Sequence, residues 1–119
     1  MIPAQPERHE PRDRQHDLPG AEWSHPWGGG HDAWKIGGKM FACIGSQGLG
    51  VAVKTPSVEE AEALIGMERA VKAPYFHRSW VLVDWNAVPG DELRARIETS
   101  YGIVFGGLTK KAQRAIADG

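Results

Sequence analysis

The sequence has only one cysteine and no long apolar run, and each absence limits what the chain can be. Cys43 alone can form neither a disulfide within the chain nor a zinc site built from several cysteines. No apolar segment approaches the roughly 20 residues that a membrane-spanning helix needs, and the N-terminus lacks the apolar stretch of a signal peptide. We therefore expect a soluble, cytoplasmic protein with no membrane contact and with Cys43 in its core.

A strongly basic charge, the usual mark of a nucleic-acid-binding domain, is also absent, because the formal net charge is -1. The charge is nevertheless uneven along the chain. Residues 1–32 hold three arginines and six acidic residues, whereas residues 33–119 hold eleven lysines and arginines and nine acidic residues. The second part therefore has a small positive excess, which is compatible with weak binding of phosphate groups.

The glycine-rich stretch at residues 33–56 lacks the spacing of a nucleotide-binding loop. Its later glycines give G-x-x-G-x-G, and Val51 stands where a P-loop would have its lysine. Gly37-Gly38 instead favours a two-residue hairpin turn, because glycine accepts the positive φ angles of a primed turn. The pattern predicts a three-stranded antiparallel meander with strands over 34–36, 39–44 and 49–54. A valine at Gly37 should then lower the melting temperature by several degrees, as a loss of about 1 kcal/mol does in a domain of this size.

The regions on either side of the meander differ in character. Residues 1–17 are rich in proline and charge, so we expect a disordered or loosely held arm, followed by a single domain over residues 18–119. Trp23, Pro26 and Trp27 are expected to pin an irregular segment to the core. After the meander, Ser57 and Glu60 form a capping box for a helix that runs to about Met67.

The C-terminal half predicts further strands and helices. Residues 71–76 favour a short edge strand or a loop, and residues 78–84 favour a strand with apolar groups on both faces. Pro89 lies near the start of a second helix, and Thr109 caps a last one. The order is β-β-β-α-(β)-β-α-α, which indicates an α+β fold: a two-layer sandwich of helices on an antiparallel sheet.

Few residues are candidates for metal binding, ligand binding or catalysis. His25 and His31 are the best local metal candidates, but three glycines separate them and no third ligand is specified. His77 and Arg78 lie beside aromatic residues and could clamp a phosphate or stack on a base, the simpler alternative being a surface entry to a strand. Ser79 is expected to meet only backbone or water. We expect no enzyme activity and no cofactor, because no nucleophile with a base, metal set or cofactor loop is evident.

Several short motifs, in their order and spacing, resemble the MmcQ/YjbR family of small bacterial proteins over about residues 18–117. They are Leu18-Pro19-Gly20-Ala21-Glu22 with Pro26-Trp27-Gly28, the stretch 34–42, Lys54, Tyr75-x-His77-Arg78-x-Trp80, Pro89-x-x-Glu92-Leu93, Ser100-Tyr101 and the stretch 107–111. The resemblance implies an α-β(3)-α-β(2)-α arrangement like that of secretion chaperones. It also implies a DNA-binding role that uses wing-like surfaces.

One departure from this family concerns the N-terminus. Relatives begin with an amphipathic helix before the Leu-Pro-Gly turn, whereas residues 1–17 are too polar for one. Either that helix is short and poorly packed, or the sheet face it would cover is bare. A bare face would favour a homodimer or a partner helix, because an exposed apolar surface is an interaction site.

Two functions are therefore expected as alternatives. The first is weak, non-enzymatic DNA binding in which basic side chains contact phosphates. The candidate contacts are Lys35, Lys39, Lys54, His77, Arg78, Lys110 and Lys111. The second is a protein- or peptide-binding module of secretion-chaperone shape with no nucleic-acid role.

Overall fold

The computed structural model describes residues 18–24, 32–45, 48–74 and 76–118. Six strands lie within these residues: β1 (Glu22–Ser24), β2 (Asp32–Ile36), β3 (Lys39–Ile44), β4 (Gly50–Lys54), β5 (Val71–Lys72) and β6 (Trp80–Asp84). They form one antiparallel sheet in the order β1-β2-β3-β4-β6-β5. The predicted N-terminal arm, the pair His25 and His31, and Tyr75 lie outside the described residues.

The predicted meander is confirmed, and its first turn is formed as expected. Ile36 pairs with Lys39 across Gly37-Gly38, whose φ angles are +59° and +83°. Both values lie in the left-handed region, where a residue with a Cβ is strained. The glycines at this position therefore serve a hairpin turn.

A β-bulge in β3 decides which side chains reach each face of the sheet. Lys35 pairs with Met40 but Trp34 pairs with Ala42, so Phe41 is an extra residue. Phe41 consequently shares a face with Ala42, whereas strict alternation would put the two on opposite faces. Met40 packs on the other face with Cys43.

All three described helices cover one face of the sheet. They are α1 (Val58–Gly66), α2 (Gly90–Gly106) and α3 (Lys110–Asp118). Buried residues of α1 and α2 pack on this helix-covered face, which carries Trp34, Ile36, Phe41, Ile44, Val51, Val53, Val81 and Val83. The opposite face carries Met40, Cys43, Ala52, Trp80 and Leu82, with Phe76 packed against them.

The helix ends agree with the capping signals in the sequence. Ser57 Oγ accepts a hydrogen bond from Glu60 N at 3.1 Å, so the predicted N-cap of α1 is confirmed. Thr109 Oγ1 accepts from Ala112 N at 3.1 Å and caps α3 in the same way. Pro89 is the N-cap of α2, one position earlier than the usual place of proline.

Ser100 ties α2 to the sheet where the ladder between β3 and β4 ends. Its hydroxyl donates to the Phe41 oxygen at 2.6 Å and accepts from Lys54 N at 2.8 Å. Ser100 is fully buried, so its hydroxyl satisfies these two backbone groups inside the fold. The serine hydroxyl thus takes the place of the next ladder hydrogen bond.

The structure corrects two expectations on strand content. Residues 22–24 are not irregular but form β1, an edge strand in which Trp23 pairs with Trp34. The strand expected over 78–84 begins at Trp80, because His77 and Ser79 form a turn before it. In the described residues, no helix is long and apolar enough to cross a membrane.

Candidate nucleic-acid interface

The turn between β2 and β3 touches the connection between α2 and α3. A Cβ atom added to Gly37 would lie 2.7 Å from Leu108 Cδ1, so the two segments are in close contact. Gln113 holds α3 in place here, because its Nε2 donates to the backbone oxygens of Phe105 and Leu108 at 3.1 and 3.0 Å. The hairpin tip and the start of α3 therefore form one corner of the domain.

Three lysines lie at this corner, which we call the basic corner: Lys39, Lys110 and Lys111. Lys39 follows Gly37 by two residues and Lys110 follows Leu108 by two residues. Because two residues of chain span at most about 7 Å, both lysines stay near the contact. All three are exposed.

The first turn of α3 concentrates positive charge. Lys110 and Lys111 occupy it and no acidic residue does, whereas α1 and α2 begin with Glu59 and Glu60 and with Asp91 and Glu92. A helix N-terminus carries a partial positive charge, so lysines at this position are unfavourable for the helix and favourable for an anion.

The arginines and lysines of the described residues differ in their partners. Ion pairs with glutamate are formed by Arg69, Arg78, Arg94 and Arg96. Within the described ranges, by contrast, none of the three lysines of the basic corner has a carboxylate within ion-pair distance. Their charges are therefore available to a ligand.

Lys54 and His77 lie away from the basic corner, and Lys35, although only two residues from Gly37, lies on the other face of the sheet. Lys54 pairs across the ladder with Trp80, and Lys35 pairs with Met40, so both lysines lie on the opposite face. Lys54 Nζ donates to Ser79 Oγ at 3.2 Å, and that hydroxyl lies 2.9 Å from His77 Nδ1. Arg78 turns towards α1 instead, where it lies 3.6 Å from Glu62.

The seven predicted contacts thus belong to separate surfaces. The fold brings Lys39, Lys110 and Lys111 together and places Lys54 with His77. Lys35 lies on the same face of the sheet as Lys54, but the two residues are two strands apart, a distance of about 10 Å. The charge of Arg78 is partly compensated by Glu62.

A family model, YjbR, matches residues 16–103, which is more than half of the chain. The chain belongs to the YjbR family. The crystal structure of Deinococcus radiodurans protein DR2400, which has a DUF419 domain, matches with a TM-score of 0.79 and 21% identity over 89% of this chain and 84% of that one. No curated protein matches the sequence.

The structural match agrees with the α+β fold expected for a YjbR protein. The described residues also contain β1, which precedes the three strands of the expected meander. At this level of identity the match shows the fold alone.

A groove of this YjbR protein lies apart from the basic corner. It has a volume of about 180 Å³ and lies between α1, α2 and the end of β4. Val53, Leu64 and Met67 give it an apolar lining, and Arg96 and Glu60 lie at its polar side. The residues of the basic corner do not line it. Across the described ranges, no group of three or more histidine, cysteine or acidic side chains could hold a metal ion.

Burial raises the pKa of two groups in the described residues and makes both poor candidates for chemistry at neutral pH. Desolvation, with a smaller contribution from the Asp32 charge, raises the pKa of the Cys43 thiol to about 11. Burial also raises the pKa of Tyr101. Cys43 is buried in a strand, so its expected role as a small core residue is confirmed.

Sequence reasoning missed the role of Ser79. Its hydroxyl was expected to meet only backbone or water, but it contacts the side chains of Lys54 and His77. The His-x-Ser spacing is a usable signal for the local half of this arrangement, since Ser79 N also donates to His77 Nδ1 at 3.1 Å. The contact with Lys54, 25 residues away, has no local signal.

Proposed function

We propose that this YjbR protein binds DNA weakly through the phosphate backbone and that the basic corner makes the main contacts. The observation that carries the proposal is the presence of three exposed lysines at one corner with no acidic partner in the described ranges. The function is binding without catalysis.

The strength of binding follows from the number of charges. Each neutralised phosphate releases counterions and adds about 0.9 to the slope of log K against log salt concentration. Three lysines therefore support a slope of roughly 3, well below that of strong DNA-binding proteins. The corner offers cations to phosphates but no evident set of groups for reading base edges, so the binding is expected to be insensitive to sequence.

The test is a titration of fluorescently labelled duplex DNA, followed by anisotropy from about 20 to about 200 mM salt. Lys39→Ala should lower the salt slope by about 0.9, because one phosphate contact is lost. Absence of binding at the lowest salt concentration would refute the proposal.

Lys72→Ala is the matched control. Lys72 is an exposed lysine on β5, at the far edge of the sheet, and also lacks an acidic partner among the described residues. The substitution removes the same charge from a different place, so the slope should stay unchanged. An equal decrease in both variants would show that net charge, and not the basic corner, governs binding.

The groove beside α1 favours a second candidate function, the binding of a protein or peptide. Met67 lines this groove and is 59% exposed, which is high for a large apolar side chain. A defined partner should then be recovered from nuclease-treated lysate by the wild-type protein and by Lys39→Ala, but not by Met67→Glu. Loss of all partners on nuclease treatment would contradict this second function.

A further inference from the structure

The imidazole of His77 is held in one tautomer by the turn that precedes β6. Ser79 N donates to His77 Nδ1 at 3.1 Å, and a backbone N–H can only donate. Nδ1 is therefore the acceptor, and in the neutral ring the proton lies on Nε2. No described group contacts Nε2, and the residue is exposed. His77 thus presents an N–H donor to solvent.

Ser79 links this ring to a lysine. Its side chain is buried, with 5% of the residue exposed. Its hydroxyl lies 2.9 Å from Nδ1 and accepts from Lys54 Nζ at 3.2 Å. Lys54 Nζ and His77 Nδ1 are consequently at most about 6 Å apart. One hydroxyl thus contacts both the Lys54 ammonium group and the Nδ1 side of the His77 ring.

Ser79 is itself firmly placed. Its backbone oxygen accepts from Thr55 N at 2.8 Å, which ties it to the end of β4, and the Thr55 hydroxyl lies 2.7 Å from the same oxygen. Lys54 directly precedes Thr55 and is also held through its backbone by Ser100. Hydrogen bonds therefore hold the backbone of both Ser79 and Lys54.

The charge of Lys54 lacks a counterion. The residue is half-buried, and in the described part of the chain its ammonium group contacts the neutral Ser79 hydroxyl but no carboxylate. Charged groups with limited access to water are usually paired. Lys35 adds a second positive charge on the same face, about 10 Å away. A bound anion would supply the counterion that Lys54 lacks.

We propose that Lys54, Ser79 and His77 form a binding site for a phosphate oxyanion. The Lys54 ammonium and the His77 Nε2–H donate to the anion, and Ser79 positions both. The site is distinct from the basic corner, because Lys54 lies on the opposite face whereas Lys39 pairs with Ile36 on the helix-covered face. The phosphate comes either from a nucleic-acid backbone or from a free phosphomonoester.

The first measurement is a long-range ¹H–¹⁵N spectrum of the histidine rings, with and without inorganic phosphate. His77 should show the Nε2–H tautomer, and its Nε2 signal should move in a saturable way as phosphate is added. Lys54→Met should weaken phosphate binding by about tenfold, the effect of one charge-assisted hydrogen bond. Lys72→Met, which removes a partnerless lysine from β5, should leave it unchanged.

Ser79→Ala separates positioning from charge. This variant keeps both cationic groups but removes the hydroxyl that fixes them, so phosphate should bind more weakly although the net charge is unchanged. Its melting temperature reports whether the fold is retained. If Ser79→Ala does not fold, two other measurements still test the proposal. They are the tautomer of His77 in the wild-type protein and the phosphate affinity of Lys54→Met compared with that of Lys72→Met.

Competition between ligands identifies the source of the phosphate. If a single-stranded oligonucleotide without a terminal phosphate moves the same signals and displaces inorganic phosphate, the site takes a nucleic-acid backbone. If phenyl phosphate displaces inorganic phosphate but the oligonucleotide does not, the site takes a free phosphomonoester. The proposal is overturned if His77 shows the Nδ1–H tautomer, if its signals do not respond to phosphate, or if Lys72→Met weakens binding as much as Lys54→Met. Lys39→Ala should not change any of these results, so failure here is distinct from failure of the basic corner.

Discussion

Replacing Gly37 by valine should destabilise the protein more than a turn glycine usually does. The residue has φ of +59°, where a Cβ costs roughly 1 kcal/mol or more. The new Cβ would also lie 2.7 and 2.9 Å from the two methyl carbons of Leu108, and such overpacking typically costs about 1–3 kcal/mol. The two effects together give about 2–4 kcal/mol.

The matched control is Gly38→Val. Gly38 has φ of +83°, but no atom of the described residues lies within 4 Å of the position that its Cβ would take. Only the backbone cost applies, so Gly38→Val should lower the melting temperature by about 5 °C and Gly37→Val by at least about 10 °C. Thermal unfolding followed by circular dichroism measures both.

A double-mutant cycle isolates the contact with Leu108. Leu108→Ala removes the methyl groups that the new side chain would meet, so Gly37→Val should be less costly in that background by about 1 kcal/mol or more. The reasoning is refuted if Gly38→Val is as destabilising as Gly37→Val, or if the cost of Gly37→Val is the same with and without the Leu108 side chain.

Three further predictions concern the core and the absence of a nucleotide loop. Ser100→Ala should lower the free energy of unfolding by about 2 kcal/mol or more, because the Phe41 oxygen and the Lys54 N–H lose their partner. Thr99→Ala, at an exposed site, should change it by less than about 0.5 kcal/mol. Equal midpoints of urea unfolding for the two variants would contradict this. Cys43 should react slowly with a thiol reagent at pH 8 and quickly in urea, because burial raises its pKa to about 11 and leaves little thiolate. Equal rates for the folded and the urea-unfolded protein would show that the thiol is accessible. The turn glycines should bind no nucleotide, so any rise in the melting temperature with millimolar ATP or NAD should come from the proposed phosphate sites and persist in Gly38→Val; loss of that rise in Gly38→Val would overturn the interpretation of Gly37-Gly38 as a turn alone.

Local signals were sufficient for much of the fold. The Gly37-Gly38 turn, the Ser57 cap and the Thr109 cap depend on residues close in sequence, and all three were predicted. The strand β1 was missed because Glu22–Ser24 is short and forms only by pairing with β2. Its sequence has no alternation of its own that could indicate a strand.

The candidate sites were harder to predict because they depend on which face each strand residue occupies. The bulge at Phe41 shifts the alternation of β3, and no feature of Lys39–Ile44 indicates it. The sequence alone therefore does not separate the seven predicted phosphate contacts, although Lys39 and Lys54 lie on opposite faces. The contact between Gly37 and Leu108, which brings α3 to the hairpin tip, joins residues far apart in sequence.

The most direct test of the proposed function is the salt dependence of DNA binding by a variant with Lys39, Lys110 and Lys111 all replaced by glutamine. If the basic corner makes the phosphate contacts, the slope of log K against log salt should decrease by about 2.7, three times the value for one phosphate. A slope equal to that of the wild-type protein would contradict the proposal, because the three lysines would then contribute no phosphate contact.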